Sequence, residues 1–226
     1  MDDPAEMRHA RARMVDHQLR GRDITDQRVL EVMGRIPRHL FLPADSVHLA
    51  YSDMPLPIGQ RQTISQPYIV ALMTQCLELE GGEAVLEVGT GSGYQAAVLA
   101  GVARQVYSLE RLPELAERAR AVLMRLGLTN VEVHVGDGSG GWPSHAPYPA
   151  ILVTAAAPRP PQPLLDEMAE GGRLLIPVGG MEGQMLERWR RRGGELDRER
   201  IAPVAFVPLV GEFGWDADRR RMGEEE

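Results

Sequence analysis

One stretch of ten residues, Val85-Leu86-Glu87-Val88-Gly89-Thr90-Gly91-Ser92-Gly93-Tyr94, constrains the fold of this chain more than any other. An apolar run passes directly into three glycines at alternate positions, with Glu87 two residues ahead of the first. Glycine adopts backbone conformations that other residues resist, and it lets the main chain approach a ligand closely. A buried strand that ends in such a turn is the signature of an open α/β sheet, whose ligands bind beyond the carboxyl ends of the strands. The turn therefore points to a nucleotide-like cofactor.

The surrounding pattern agrees with that sheet. Extended runs fit residues 84–88, 105–109, 131–135, 150–154 and 173–178, and helical runs fit 93–101, 113–126 and 161–169. Strand and helix alternate, which predicts a mostly parallel sheet covered on both faces. Residues 5–20 and 26–35 read as polar helices, with Thr25 as the cap of the second. Pro55, Pro57 and Gly59 mark 51–64 as irregular chain. Residues 66–79 carry apolar residues at helical spacing, and Ser65 stands where a cap belongs. Beyond Gly179-Gly180, residues 183–192 and 195–201 form a hairpin about Gly193-Gly194, and 204–210 is one more extended run limited by Pro208. The expected organisation is a single α/β domain over 1–226. It comprises an N-terminal helical, substrate-side segment (1–80), a cofactor-binding core (81–180), C-terminal strands (181–212) and a charged tail (213–226).

Composition narrows the function classes. A net charge of −7 argues against broad binding to nucleic acid or to a membrane surface. The single cysteine, Cys76, excludes an internal disulfide framework and any multi-cysteine metal site. The six histidines (His9, His17, His39, His48, His134 and His145) lack ligand spacing, so no metal is expected. The polar, acidic start lacks the pattern of a signal peptide, and no apolar run approaches the roughly 20 residues of a spanning helix. These features predict a soluble, cytoplasmic protein with no obligate partner. Arg219-Arg220-Arg221 reads as a solvated run.

Two readings of the glycine turn compete. Gly91-Ser92-Gly93-Tyr94-Gln95-Ala96 satisfies a dinucleotide fingerprint, but it is offset from the strand end at Val88. Counted from Glu87, the acidic-x-Gly-x-Gly-x-Gly turn of S-adenosylmethionine methyltransferases fits the strand boundary without a shift. Glu110, followed by Arg111, ends the next strand, where a carboxylate suits both ribose hydroxyls of either cofactor; it is also placed as a helix-start acid. Asp137-Gly138 follows the third strand, where an acid meets the adenine amino group of a methyltransferase cofactor or simply makes a turn. Three such features at the ends of successive strands place the ligand along one edge of the sheet.

Several segments resemble the protein-L-isoaspartate O-methyltransferase family over roughly residues 10–212. They are Pro55–Gln60, Gln62-Thr63-Ile64-Ser65-Gln66-Pro67, Leu86–Gln95, Gly136-Asp137-Gly138, Thr154–Pro158, Leu175–Gly179 and Phe206–Val210. The Thr-Ile-Ser segment carries the specificity, because the glycine turn marks only the superfamily. Ser139-Gly140-Gly141-Trp142 and the acidic tail depart from the pattern. The resemblance implies a Rossmann-like fold and S-adenosyl-L-methionine as cofactor. It also implies methyl esterification of the α-carboxylate of L-isoaspartyl residues in proteins and peptides.

On this resemblance, Ser65 orients the substrate carboxylate while Thr63 and Ile64 line the wall between cofactor and substrate. Glu87, Gly89, Thr90, Gly91, Ser92, Gly93, Glu110, Arg111, Asp137 and Gly138 serve the cofactor. Glu87 meets the cofactor amino group or a loop amide, or else secures the turn. Val207, in the last extended run, pairs with a substrate backbone or belongs to a structural edge strand. Two competing functions are a nicotinamide-dependent oxidoreductase using the offset fingerprint and a biosynthetic relative methylating ordinary aspartate. A third is a non-enzymatic binding module that retains the cofactor fold.

Overall fold

The backbone alternation in the sequence becomes one seven-stranded sheet in a computed structural model that describes residues 3–180 and 182–216. The N-terminal block comprises α1 (Ala5–Arg13), which continues as a wider helical turn over Met14–Arg20, and α2 (Gln27–Arg35). A short antiparallel hairpin, β1 (Leu56–Gly59) and β2 (Gln62–Ile64), leads into α3 (Pro67–Cys76). The core then alternates β3 (Ala84–Val88), α4 (Tyr94–Ala100), β4 (Gln105–Glu110), α5 (Pro113–Arg125), β5 (Val131–Val135), β6 (Tyr148–Val153), α6 (Gln162–Asp166) and β7 (Met168–Gly180). A final hairpin, β8 (Gly183–Arg192) and β9 (Glu195–Val204), extends the sheet.

The strand order is β5-β4-β3-β6-β7-β8-β9, parallel through β7 and antiparallel beyond. This is the expected doubly wound, mostly parallel sheet with N-terminal helices and C-terminal strands. Consecutive residues of each strand feed opposite faces. Val85, Val106, Ala150 and Leu152 join a core with residues of α2, α3, α4 and α5, whereas Leu86, Leu109, Ile151 and Val153 join a second core with Leu164 and Leu165 of α6. Strands buried on both faces explain the near-continuous apolar runs. Chain order reverses between β3 and β6, so a crevice opens at their carboxyl ends.

Local chemistry corrects five expectations. Asp26, not Thr25, caps α2: its carboxylate accepts the Arg28 amide at 2.9 Å, while the Thr25 amide donates to Gln75 Oε1 at 2.7 Å. Ser65 is not the cap of α3. Pro67 occupies the first helical turn, Gln66 is the flanking residue without a side-chain cap, and the Tyr68 amide donates to Asp53 Oδ1 at 3.3 Å. Residues 51–64 contain the β1–β2 hairpin, turned by Gln60 and Arg61 at φ of 52° and 55°. The helix expected over 161–169 ends at Asp166, because Tyr148 pairs with Met168 and its amide donates to the Glu167 carbonyl at 2.7 Å. Residues 205–210 are not a regular strand: they leave β9 and make only isolated parallel bridges, Pro208 with Ala156 and Val210 with Trp215. The tail from residue 217, including the arginine run, lies outside the described residues.

The cap assignment is testable. Asp26→Ala should cost about 1 kcal/mol in urea denaturation. Thr25→Ala, which removes only a hydroxyl 3.4 Å from Gln75 Oε1, should cost less. Equal losses would return the cap to Thr25.

Candidate active site

The glycine turn is built by collision avoidance. Gly89, Gly91 and Gly93 have φ of +96°, +55° and +88°, a region that side-chain-bearing residues rarely adopt. A Cβ on Gly89 would run into Thr154 Oγ1, and one on Gly93 would lie 3.1 Å from Ala119 Cβ of α5. The turn is tied down on both sides. The Gly89 amide donates to the Leu109 carbonyl of β4 at 2.8 Å, and the Thr154 hydroxyl, just past β6, donates to the Gly89 carbonyl at 2.5 Å.

The acids at the strand ends divide in role. Glu110 is 6 % exposed; its carboxylate accepts the Gly91 amide at 2.8 Å and the Leu112 amide at 2.9 Å. It therefore holds the turn and the start of α5 while lining a cleft of about 850 Å³. Glu87 lies beneath the turn, fully buried, and is not among the residues lining that cleft. One carboxyl oxygen accepts the Ser108 hydroxyl, whose oxygen is 2.5 Å from Thr90 Oγ1, and the other lacks a partner among the described residues. Burial is the main cause that pushes the Glu87 carboxyl up to about 8, with the Ser108 hydrogen bond opposing and the Glu110 charge adding. Asp137 accepts the Ser139 amide at 2.9 Å and the Glu212 amide at 2.8 Å, so it caps its own turn and anchors the C-terminal segment. Burial works to raise its carboxyl. The Glu212 amide, the Ser139 hydroxyl and amide and the Arg111 charge outweigh it and hold the group below its ordinary value. Asp137 is not a lining residue, whereas its neighbour Gly138 is.

Of the residues singled out in the sequence, Thr63, Ile64, Ser65, Gly89, Thr90, Gly91, Ser92, Glu110, Arg111, Gly138 and Val207 share this one cleft. Gly93 stands behind it as the left-handed residue that starts α4. A second cleft of about 920 Å³ opens beside the first, lined by Pro55, Gln66, Ile69 and the corner Pro203–Phe206. Thr63, Ser65, Thr154 and Val207 belong to both. Ser65 is half-buried at this junction, and its hydroxyl has no hydrogen-bond partner among the described residues. Thr154 entered the sequence reading only within the family-like segment 154–158 and was given no site role, although it follows the fourth core strand, at the position where chain order reverses. Gln62 and Leu112 were missed as well.

A reversing parallel sheet with a three-glycine turn against its central strand, and an acid after the neighbouring strand, defines a nucleoside-cofactor site of the methyltransferase type. The family model for protein-L-isoaspartate(D-aspartate) O-methyltransferase matches residues 9–214, and the chain belongs to that family. A protein-L-isoaspartate O-methyltransferase of Methanoculleus marisnigri is 54 % identical over 93 % of this chain and 96 % of its own length. A second, from Syntrophobacter fumaroxidans, is 56 % identical over 92 % and 97 %. Among solved structures, a protein-L-isoaspartate O-methyltransferase superposes with a TM-score of 0.82 at 27 % identity, covering 95 % of this chain and 69 % of its own. A Plasmodium falciparum structure assigned to the same enzyme class, in complex with S-adenosyl-L-homocysteine, gives 0.77 at 26 % identity over 88 % and 98 %.

The state of Glu87 has a measurable sign. Its carboxyl binds a proton more tightly folded than unfolded, where it has the ordinary value of 4.5. The folded state therefore loses stability as pH rises from about 4.5 to about 8, and the loss is complete above that. Glu87→Gln cannot ionise, so urea denaturation from pH 5 to 8 should show a shallower decline than wild type. Parallel profiles would mean that Glu87 is charged in the folded protein.

Proposed function

We propose that this chain transfers the methyl group of S-adenosyl-L-methionine to the α-carboxylate of L-isoaspartyl residues in damaged proteins and peptides, beginning their return to aspartate. The observation that carries this reading is the meeting of two clefts at Thr63, Ser65, Thr154 and Val207. The first has a cofactor's architecture, and the second is open and uncharged, as a peptide requires. Family membership and the S-adenosyl-L-homocysteine bound in the Plasmodium falciparum relative support the same assignment.

The cofactor fits the residues present. Three amide-rich, side-chain-free positions and Glu110 stand where a nucleoside and its amino-acid arm would lie. In this reading Gly89, Thr90, Gly91, Ser92 and Glu110 hold it, with Arg111 and Gly138 at the adenine side; Glu87 and Asp137 act from beneath by setting the backbone. When bound, the group supplies a methyl carbon on a positively charged sulfur.

The chemistry asks little acid–base work of the protein. A carboxylate with pKa near about 4 is already ionised at neutral pH, so no general base is needed. The carboxylate oxygen forms the new O–C bond as the C–S bond breaks, and the electron pair stays on sulfur. Opposite charges neutralise each other in that step, so excluding water from the junction favours it. The greater part of the rate comes from alignment, which is worth roughly 7–11 kcal/mol in well-oriented reactions. Ser65, free of the capping role, donates its hydroxyl to one carboxylate oxygen and leaves the other to react. Thr63 and Ile64 form the wall that sets its approach. The Val207 carbonyl is taken by the Ala156 amide, at 2.8 Å, so its amide is the main-chain group left to pair with a substrate backbone. We also propose a cytoplasmic setting, in keeping with the lone Cys76. Among the described residues, no helix is long and apolar enough to cross a membrane.

Paired peptides that differ only in isoaspartate against aspartate test the reaction. Methylation of the isoaspartyl peptide alone is expected, and preference for ordinary aspartate would transfer the chain to a biosynthetic role. Ser65→Ala should lower kcat roughly tenfold to a hundredfold, the range of a lost hydrogen bond to a charged group, with cofactor affinity unchanged by calorimetry. Unaltered kcat would remove Ser65 from the mechanism. Glu110→Ala, in contrast, should weaken S-adenosyl-L-homocysteine binding at least tenfold, since the Gly91 amide loses its acceptor along with the ligand contact. Undiminished affinity would remove Glu110 from the cofactor site.

A further inference from the structure

The uncharged wall of the second cleft is made by a corner of the chain. Strand β9 ends at Val204, which pairs with Gln184 of β8. Past the corner, the Val207 carbonyl accepts the Ala156 amide and the Leu209 amide donates to the Ala156 carbonyl, both at 2.8 Å. Between these anchors, the backbone of Phe206 has no backbone partner among the described residues. Both of its polar groups are taken by one side chain: the Phe206 amide donates to Gln184 Oε1 at 2.6 Å, and Gln184 Nε2 donates to the Phe206 carbonyl at 3.0 Å. The carboxamide thus plays the part of an adjacent strand for a single residue.

We infer that Gln184 is a positioning residue for the peptide substrate, latching the Phe206 corner so that the cleft wall stands at a set distance from Ser65 and Thr63. The inference rests on the reading of the second cleft as the peptide groove. Three features of the structure favour a latch. Gln184 is paired with Gly179 of β7, where a Cβ at φ +134° would lie 3.0 Å from Gln184 Cα, so the two strands are in close contact there. The Phe206 side chain packs on the larger core beside Ile201, Ala202 and Val204, so the corner has an inward anchor that the carboxamide completes. The wall also faces the junction directly, because Val207, one residue on, lines both clefts. A side chain with both a donor and an acceptor is required at 184. An aliphatic residue of equal length leaves a backbone amide and carbonyl unpaired at a partly buried corner.

This role predicts a separation of kinetic constants. In the full-length enzyme, Gln184→Met and Gln184→Ala should raise KM for an isoaspartyl peptide roughly tenfold, the equivalent of two modest hydrogen bonds. kcat at saturating peptide and the Kd of S-adenosyl-L-homocysteine should stay close to wild type, while Tm falls by roughly 2–4 °C, the cost of the unpaired amide and carbonyl. An unchanged KM overturns the latch, and a lowered KM would make the carboxamide a placeholder that the peptide displaces. A Kd for S-adenosyl-L-homocysteine that rises in step with KM would make Gln184 a brace for the whole fold and also overturns it. Hydrogen exchange on the wild type gives a reading that does not depend on variant folding: the Phe206 amide should be protected in the free enzyme, and rapid exchange there contradicts the inference. Wild-type enzyme that fails to methylate the isoaspartyl peptide would refute the proposed function itself, an outcome distinct from a wild type that works and variants that match it.

Discussion

The contact between Gly89 and Thr154 is the constraint on which the rest of the site depends. It joins the end of β3 to the end of β6, the two strands between which chain order reverses. The Thr154 amide donates to the Val88 carbonyl at 2.9 Å, its hydroxyl reaches the Gly89 carbonyl, and the Gly89 amide reaches across to Leu109 of β4. Three adjacent strand ends are thereby tied at one point, and no side chain is tolerated at position 89. With the backbone pinned there, the following amides turn outward and one of them meets Glu110. The same threonine lies at the junction of the two clefts, so the tie that shapes the cofactor side also fixes the distance to the substrate side.

The two glutamates near the turn illustrate how burial separates residues that look alike in sequence. Both lie at a strand end, 23 residues apart, and both sit within the sheet's carboxyl edge. Glu87, fully enclosed, is pushed toward its neutral form, and the Glu110 charge pushes in the same direction. A neutral Glu87 places no repelling charge beneath Glu110. It instead completes the chain from Thr90 through Ser108, which stiffens the turn from below. Glu87 therefore acts on the turn through the backbone conformation that it supports.

Legibility in the sequence followed burial. The parallel core was readable because strands covered on both faces must be apolar along their length, and the five expected spans fell on β3 to β7 with only their ends displaced. The β1–β2 hairpin was not readable. Its turn uses Gln60 and Arg61 at positive φ, where asparagine or glycine is the usual signal, and the flanking prolines suggested irregular chain. The end of α6 was obscured because a tertiary pairing, Tyr148 with Met168, overrode local helical preference. In the site, the glycine turn, Glu110 and the Thr63–Ser65 segment were visible as motifs. Thr154 was visible only within the family-like segment 154–158, and its place in the cleft follows from the strand order, which no local pattern carries. Gln184 belongs to the same class: its partner, Phe206, is 22 residues away and known only from the fold.

Cofactor and substrate sides come from different parts of the architecture. The first cleft is floored by the ends of β3, β4 and β6, and its rim is completed by residues 62–65 and 207–210. The second is formed by elements outside the parallel core: the β1–β2 hairpin delivers Thr63 and Ser65, and the corner after β9 delivers the opposite wall. The hairpin is anchored in the larger core by Leu56, Ile58 and Ile64, and the corner is held through Ala156 and Gln184. Pro55, Gln66, Ile69 and residues 203–206 line the second cleft without reaching the first, so changes there leave the lining of the first intact. A repair activity that must accept damage in many sequence contexts is served by this division, because an uncharged, backbone-defined groove discriminates little among neighbouring side chains.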